Sequence, residues 1–169
     1  MLNDIIEFSE IRDYKQFEDL ATAYFRYLKE ATNTNIVSIF VEPSGEGTDG
    51  GRDIFVTFKV HDGIMEFERK WVVQCKFHDE SVNKSHLASV NIPSLIHQFN
   101  ADGYLLICKN GATSKLTDMF EDLRKRCRFG YKYLIWTGSD FAAAVMDAKP
   151  LHKQFFPKYF RYSETNKNN

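Results

Sequence analysis

Two runs of alternating apolar and polar residues, Asp53 to Val60 and about Ile64 to Phe77, meet at Asp62-Gly63. Period-two alternation sends successive side chains to opposite faces of a strand, and Asp-Gly supplies the tight reversal of a hairpin. Around this pair the periodicity changes. Phe17, Leu20, Ala21, Tyr24 and Leu28 recur at helical spacing, which predicts an amphipathic helix over 14–31, ended by the cluster Thr32-Asn33-Thr34-Asn35. Ile36 to Val41 reads as a strand. After the hairpin come a helical segment interrupted by Pro93, a compact buried strand at Tyr104 to Cys108 and a helix over 114–127. A second buried strand at Tyr133 to Trp136 and a helix over 139–147 follow. A hairpin joined to strands that alternate with helices predicts an α/β fold, a mixed central β-sheet flanked by helices on both faces.

A chain of 169 residues suits one domain, expected over 1–162 with a flexible polar tail at 163–169. Fifteen Phe and eight Tyr supply ample core. No apolar run approaches the ~18 residues of a membrane span, and Met1-Leu2-Asn3-Asp4 lacks the basic and apolar regions of a signal peptide. Cys75, Cys108 and Cys127 are too scattered for a disulfide framework, and no Cys-x-x-Cys offers a zinc site, so a cytoplasmic location is expected. The net charge of −1 hides an asymmetry: from Arg124 onward there are ten Lys and Arg against three Asp and Glu. That end is basic enough to meet a polyanion.

The strand alternation also sorts the polar residues by face. Ile54, Val56, Phe58 and Val60 share one side and Asp53 falls on the other, beside a loop with four glycines in seven positions. Trp71, Val73, Cys75 and Phe77 point one way; Val72, Gln74 and Lys76 point the other. Neighbouring hairpin strands thus bring Asp53, Gln74 and Lys76 to one face, away from the main core. An acid, an amide oxygen and an ammonium are parts for metal-assisted phosphodiester hydrolysis. Asp53 and Gln74 offer hard oxygen donors for Mg²⁺, the backbone carbonyl of Cys75 a third, and Lys76 could stabilise transition-state charge or orient the attacking water.

With these residues in view, Gly47-Thr48-Asp49-Gly50-Gly51-Arg52-Asp53-Ile54 followed by Trp71-Val72-Val73-Gln74-Cys75-Lys76-Phe77 resembles the Mrr-like branch of the PD-(D/E)XK nucleases. The likeness extends, more weakly, through 104–108 and the Phe155-Phe156-Pro157 end. It implies a restriction endonuclease-like fold and a Mg²⁺-dependent DNA endonuclease, with Mn²⁺ able to substitute. It also implies active-site positions at Glu18, Asp53, Gln74 and Lys76. Glu18 enters through the Phe17-Glu18 pair, which matches the family's first motif on its N-terminal helix, and is a further candidate metal ligand. Gln74 departs from the better-known Glu-x-Lys pattern, and a neutral amide binds Mg²⁺ more weakly than a carboxylate.

Several residues also carry plainer readings. Asp49 fits a glycine-rich turn better than a site, and the loop itself lacks the Gly-Lys-Ser/Thr of a phosphate-binding loop, though it could let backbone approach a phosphate. His78 shares the face of Lys76 and reads as a surface residue; Cys75 should be a buried small hydrophobe. Arg124, Lys125, Arg126 and Arg128 end a helix, where cations meet its dipole favourably, and are equally candidates for DNA contact. Phe155-Phe156 and Tyr159-Phe160 read as core or interface.

The expected function is a metal-dependent DNA endonuclease of little intrinsic sequence specificity, since no recognition helix is evident. The resemblance suggests the effector of a prokaryotic antiphage defence or restriction system, acting as a homodimer or oligomer or through a fused NTPase sensor. The alternative is a catalytically weak DNA-binding or partner-assembly domain of the same fold.

Overall fold

The computed structural model describes residues 5–31, 34–44 and 50–167. Gly47, Thr48 and Asp49, which carry part of the family resemblance, lie outside them. Five strands form one sheet: β1 (Ile36–Pro43), β2 (Ile54–His61), β3 (Glu66–Lys76), β4 (Gly103–Cys108) and β5 (Lys132–Trp136), in spatial order β1-β2-β3-β4-β5. The first three are an antiparallel meander; β3, β4 and β5 are parallel. The hairpin forms where Asp-Gly predicts it: Asp62 Oδ1 accepts the Ile64 and Met65 N–H groups, both at 2.9 Å, and Gly63 takes φ 99°.

The helices are α1 (Tyr14–Tyr27), α2 (Ile92–Gln98), α3 (Ser114–Arg126), α4 (Gly138–Asp147), α5 (Lys149–Phe155) and α6 (Pro157–Lys167). Asp13 caps α1 by accepting the Gln16 N–H at 2.8 Å. Pro93 does not interrupt a helix; it stands in the first turn of α2, where its missing N–H costs nothing.

The sheet separates two cores. On one face α1, α4 and α5 pack Phe17, Leu20, Phe141, Val145 and Phe155 onto Ile54, Val56, Val73, Cys75, Leu105 and Ile107. On the other, α2 and α3 pack Leu95, Ile96, Leu116 and Phe120 onto Val72, Tyr104, Leu106 and Tyr133. The face of Val72 and Gln74 is turned away from the larger core, as the alternation indicates, but it is not open to solvent: it lines the second one. Phe155 and Phe156 are buried, as expected of core residues.

One local finding differs from the sequence reading. The segment from Ser163, expected to be a tail, continues α6 as far as Lys167. Gly51 takes φ +98°, and a Cβ there would lie 2.5 Å from a Val90 methyl, so its glycine is required by backbone conformation and by packing on Val90.

Candidate active site

Parallel strands β3 and β4 end together, with Lys76 paired to Cys108, and β2 begins beside that end. The last rung of the β2–β3 ladder is Ile54 opposite Val73. Asp53, one residue before it, donates its N–H to Val73 O at 2.9 Å. Its carboxylate then continues the pairing that the strand no longer supplies: Oδ2 accepts the Cys75 N–H at 2.6 Å. The other oxygen, Oδ1, accepts the Tyr14 hydroxyl at 2.9 Å.

Tyr14 opens α1, and Glu18 stands one turn further on the same helix face. Phe17, between them, is fully buried beneath the helix, its ring 5.4 Å from that of Phe77, which fixes the helix over the end of β3. Glu18 stands close enough for its charge to act on Asp53 and on the Tyr14 phenol. Two carboxylates, a phenol and the Cys75 peptide thus converge at the C-terminal edge of β3.

The electrostatics follow from that crowding. Burial pushes the Asp53 carboxyl above its ordinary pKa, against the pull of the Cys75 N–H, the Tyr14 hydroxyl and the Lys76 ammonium. Burial also raises Glu18, helped by the charge of Asp53 and opposed by Tyr14 and Lys15. The Tyr14 phenol is raised by burial and by the two carboxylates beside it. A site that disfavours two negative charges and holds them on hard oxygens has the donor set of a divalent cation.

Lys76 is half-buried at the end of β3, near enough for its charge to act on Asp53. Gln74 shares its face but is 6% exposed, and its carbonyl oxygen accepts a hydrogen bond from the buried Tyr104 hydroxyl. That oxygen is oriented by the second core, and one of its two lone pairs is taken. The Cys75 side chain is buried, and burial raises its thiol, so it is inert. Tyr14 and Tyr104 were both missed by the sequence reading. The signals available were the four-residue spacing of Tyr14 from Glu18 and a lone hydroxyl in the otherwise apolar run 104–108.

The basic cluster lies elsewhere. Helix α3 runs back against β4, so Arg124, Lys125, Arg126 and Arg128 are exposed at the Gly103–Lys132 edge of the sheet, the end opposite Lys76. Six-residue β4 separates the two ends by ~17–20 Å. Lys125 pairs with Glu121 at 3.8 Å.

A second group of ligand-type atoms, from His78, Glu80 and His86, lies within 4.8 Å. The two imidazoles stack at 4.3 Å with planes 15° apart, so their in-plane lone pairs do not meet at a point. His86 Nδ1 also accepts the Asn83 N–H at 3.0 Å. This pair closes the turn after β3, and burial together with His86 and Lys76 lowers the His78 pKa.

A mixed sheet with an acid before β2, Gln-x-Lys at the end of β3 and a glutamate on the first helix defines the restriction endonuclease-like class of fold. Residues 12–144 match the sequence model of the Mrr catalytic domain, described as restriction endonuclease, and the chain belongs to that family. Nucleases of this fold typically use divalent metal ions. Among solved structures it is similar to the DNA modification-dependent restriction endonuclease AspBHI, with TM-score 0.54 and 15% identity over 79% of this chain and 31% of that one. It is also similar to the MspJI restriction endonuclease, in a structure with a 27-mer oligonucleotide, with TM-score 0.52 and 17% identity over 78% of this chain and 27% of that one. The chain therefore spans about a third or less of the length of these structural neighbours. No curated protein matches it. Among the described residues no helix is long and apolar enough to cross a membrane.

Proposed function

We propose that this domain is a metal-dependent DNA endonuclease whose centre is Glu18, Asp53, Gln74 and Lys76. The observation that carries this reading is the Asp53 carboxylate held between the Tyr14 hydroxyl and the Cys75 N–H, with Glu18 and Lys76 near enough for their charges to act on it. Asp53 and Glu18 would hold Mg²⁺, or Mn²⁺ in its place, with the Cys75 carbonyl and Gln74 Oε1 as neutral donors. The Cys75 N–H points toward Asp53, and N–H and C=O of one strand residue face the same side, which supports the carbonyl as a ligand. When bound, the ion polarises the scissile phosphate and acidifies water. Asp53, fixed by two donors, keeps its carboxylate plane in place. Lys76 neutralises charge that develops on the phosphate oxygens or orients the attacking water.

Arg124, Lys125, Arg126 and Arg128 are proposed as peripheral, sequence-independent phosphate contacts, given their distance from the catalytic edge. Low intrinsic specificity follows from that type of contact. One site cuts one strand at a time, so double-strand breaks need two copies, brought together as a homodimer or by a fused NTPase sensor. A cytoplasmic antiphage or restriction effector is the role that fits such an enzyme. The second reading, a catalytically weak DNA-binding or partner-assembly domain, is favoured by one observation: Gln74 is buried and already accepts from Tyr104.

Supercoiled plasmid incubated with Mg²⁺, and separately with EDTA, tests the first reading. Nicking in Mg²⁺ alone is expected. Binding without cleavage at any Mg²⁺ or Mn²⁺ concentration would favour the second.

A further inference from the structure

We infer that Tyr14 is a positioning residue whose hydroxyl sets the metal affinity of the site by holding Asp53 before any ion arrives. The inference rests on the metal-site reading given above and adds to it a residue outside the ligand set.

Asp53 has two oxygens and a donor for each. The Cys75 N–H fixes Oδ2 at 2.6 Å and the Tyr14 hydroxyl fixes Oδ1 at 2.9 Å. With one donor the carboxylate can turn about its Cβ–Cγ bond; with two on different oxygens, its plane is set. Each oxygen keeps a further acceptor position, so this bracing does not consume the group's capacity for a cation. The two braces come from unrelated places, one a strand peptide and the other a helix 39 residues earlier in the chain. Their agreement on one carboxylate is not a local accident of the chain.

The donor count also explains why a phenol suits the position. Glu18 stands one turn further along the same helix, and burial disfavours charge on both acids. Ionised carboxylates only accept, and tyrosine has a single proton to give. The hydroxyl can therefore satisfy Asp53 without adding a charge to the site. A lysine there would neutralise the site and compete with a cation; a phenylalanine would leave the acids with one brace fewer. Tyr14 itself is 45% exposed, its helix is capped independently by Asp13, and the core beneath is supplied by Phe17 and Leu20. Nothing in the fold needs the hydroxyl, which leaves positioning as its use.

The test compares wild type, Tyr14→Phe and Asp53→Asn by calorimetric titration with Mn²⁺ and by half-saturating Mg²⁺ in plasmid nicking. Tyr14→Phe should weaken Mn²⁺ binding and raise half-saturating Mg²⁺ by about fivefold to tenfold, the scale of one hydrogen bond to a charged group. Turnover at saturating metal should fall by less than the affinity does, and the melting temperature should stay within a degree or two of wild type. A purely structural hydroxyl would lower the melting temperature and leave the metal constants alone, overturning the inference. So would lost turnover at unchanged metal affinity, which would put Tyr14 in the chemistry. If Asp53→Asn abolishes Mn²⁺ binding and Tyr14→Phe does not change it, this inference alone fails. If wild type binds no Mn²⁺, or Asp53→Asn binds it like wild type, the metal-site reading fails and takes the inference with it.

Discussion

The two ends of the parallel strands both gather charged side chains and differ in construction. At the Lys76–Cys108 end, Asp53, Glu18, Tyr14 and Lys76 come from β2's start, α1 and β3, and Asp53 and Tyr14 orient each other across 39 residues of chain. At the Gly103–Lys132 end, Arg124, Lys125, Arg126 and Arg128 follow one another along one helix terminus, all exposed. Arg126 and Arg128 border an apolar recess of about 620 Å³ walled by Leu123, Phe129, Tyr131 and Tyr133. Local charge density, however conspicuous in a sequence, needs no tertiary structure and constrains none. Convergence of half-buried groups does, because each must be held against the cost of burying it.

The comparison breaks most readily at the catalytic end. Asp53→Ala and Lys76→Ala should each lower cleavage by about a hundredfold or more, the scale of losing one electrostatic contributor to the transition state. Circular dichroism should stay native, because neither side chain fills a core. A variant with native spectrum and full nicking activity would remove its residue from the site.

Gln74→Glu should affect both metal binding and stability. An added carboxylate strengthens a hard-ligand set, so half-saturating Mg²⁺ should fall or hold. Metal-free, however, the variant places a charge at a position 6% exposed with Tyr104 as its donor, and should melt several degrees lower than wild type. Added Mg²⁺ should restore much of that difference. A rise in half-saturating Mg²⁺ would mean that Gln74 is not a ligand.

How much of this is legible in the sequence depends on the range of the cause. The hairpin, the five strands and the positions of Asp53, Gln74 and Lys76 are readable because alternation and Asp-Gly act within a few residues. Tyr14 is not, because its partner lies 39 residues away and its one local mark is the four-residue spacing from Glu18. The burial of Gln74 is hidden because alternation tells which residues share a face, but not that α2 and α3 cover it. The end of the helix over 157–167 reads as a tail because its polar sequence has little amphipathic pattern. Its first turn is held by Glu10, whose carboxylate accepts the Lys158 and Tyr159 N–H groups at 2.7 and 3.1 Å, from 148 residues away. That cap has no local signal.

Acidity sharpens the contrast next. Burial pushes the Asp53 and Glu18 carboxyls above their ordinary pKa, so metal must compete with protons at a higher pH than usual. Half-saturating Mg²⁺ should rise as pH falls through mild acid, earlier than for an exposed acidic pair. The stability effect has the opposite direction. A carboxyl whose folded-state pKa is raised favours folding below its unfolded value, and that contribution is lost as pH rises through the folded value. Metal-free Asp53→Asn should therefore melt a few degrees above wild type at neutral pH, with the gain vanishing on acidification. Equal melting at both pH values would place Asp53 in a more solvated setting than this account allows.

The smallest effect belongs to the basic end. Replacing Arg124, Lys125 and Arg126 together with Ala should flatten the salt dependence of DNA binding, by roughly 0.9 in log–log slope for each phosphate no longer neutralised. It should weaken all sequences alike and leave the Mg²⁺ requirement unchanged. An unaltered slope would mean that the cluster only complements the dipole of α3.

The central claim, that the metal centre is built at the Lys76–Cys108 edge by Asp53 and Glu18, is tested most directly by Mn²⁺ binding followed by electron paramagnetic resonance. Wild type and the triple Arg124, Lys125, Arg126→Ala variant should bind Mn²⁺ alike, while the double variant Asp53→Ala, Glu18→Gln should not bind it. Equal binding by the double variant, with its fold intact, would contradict the account.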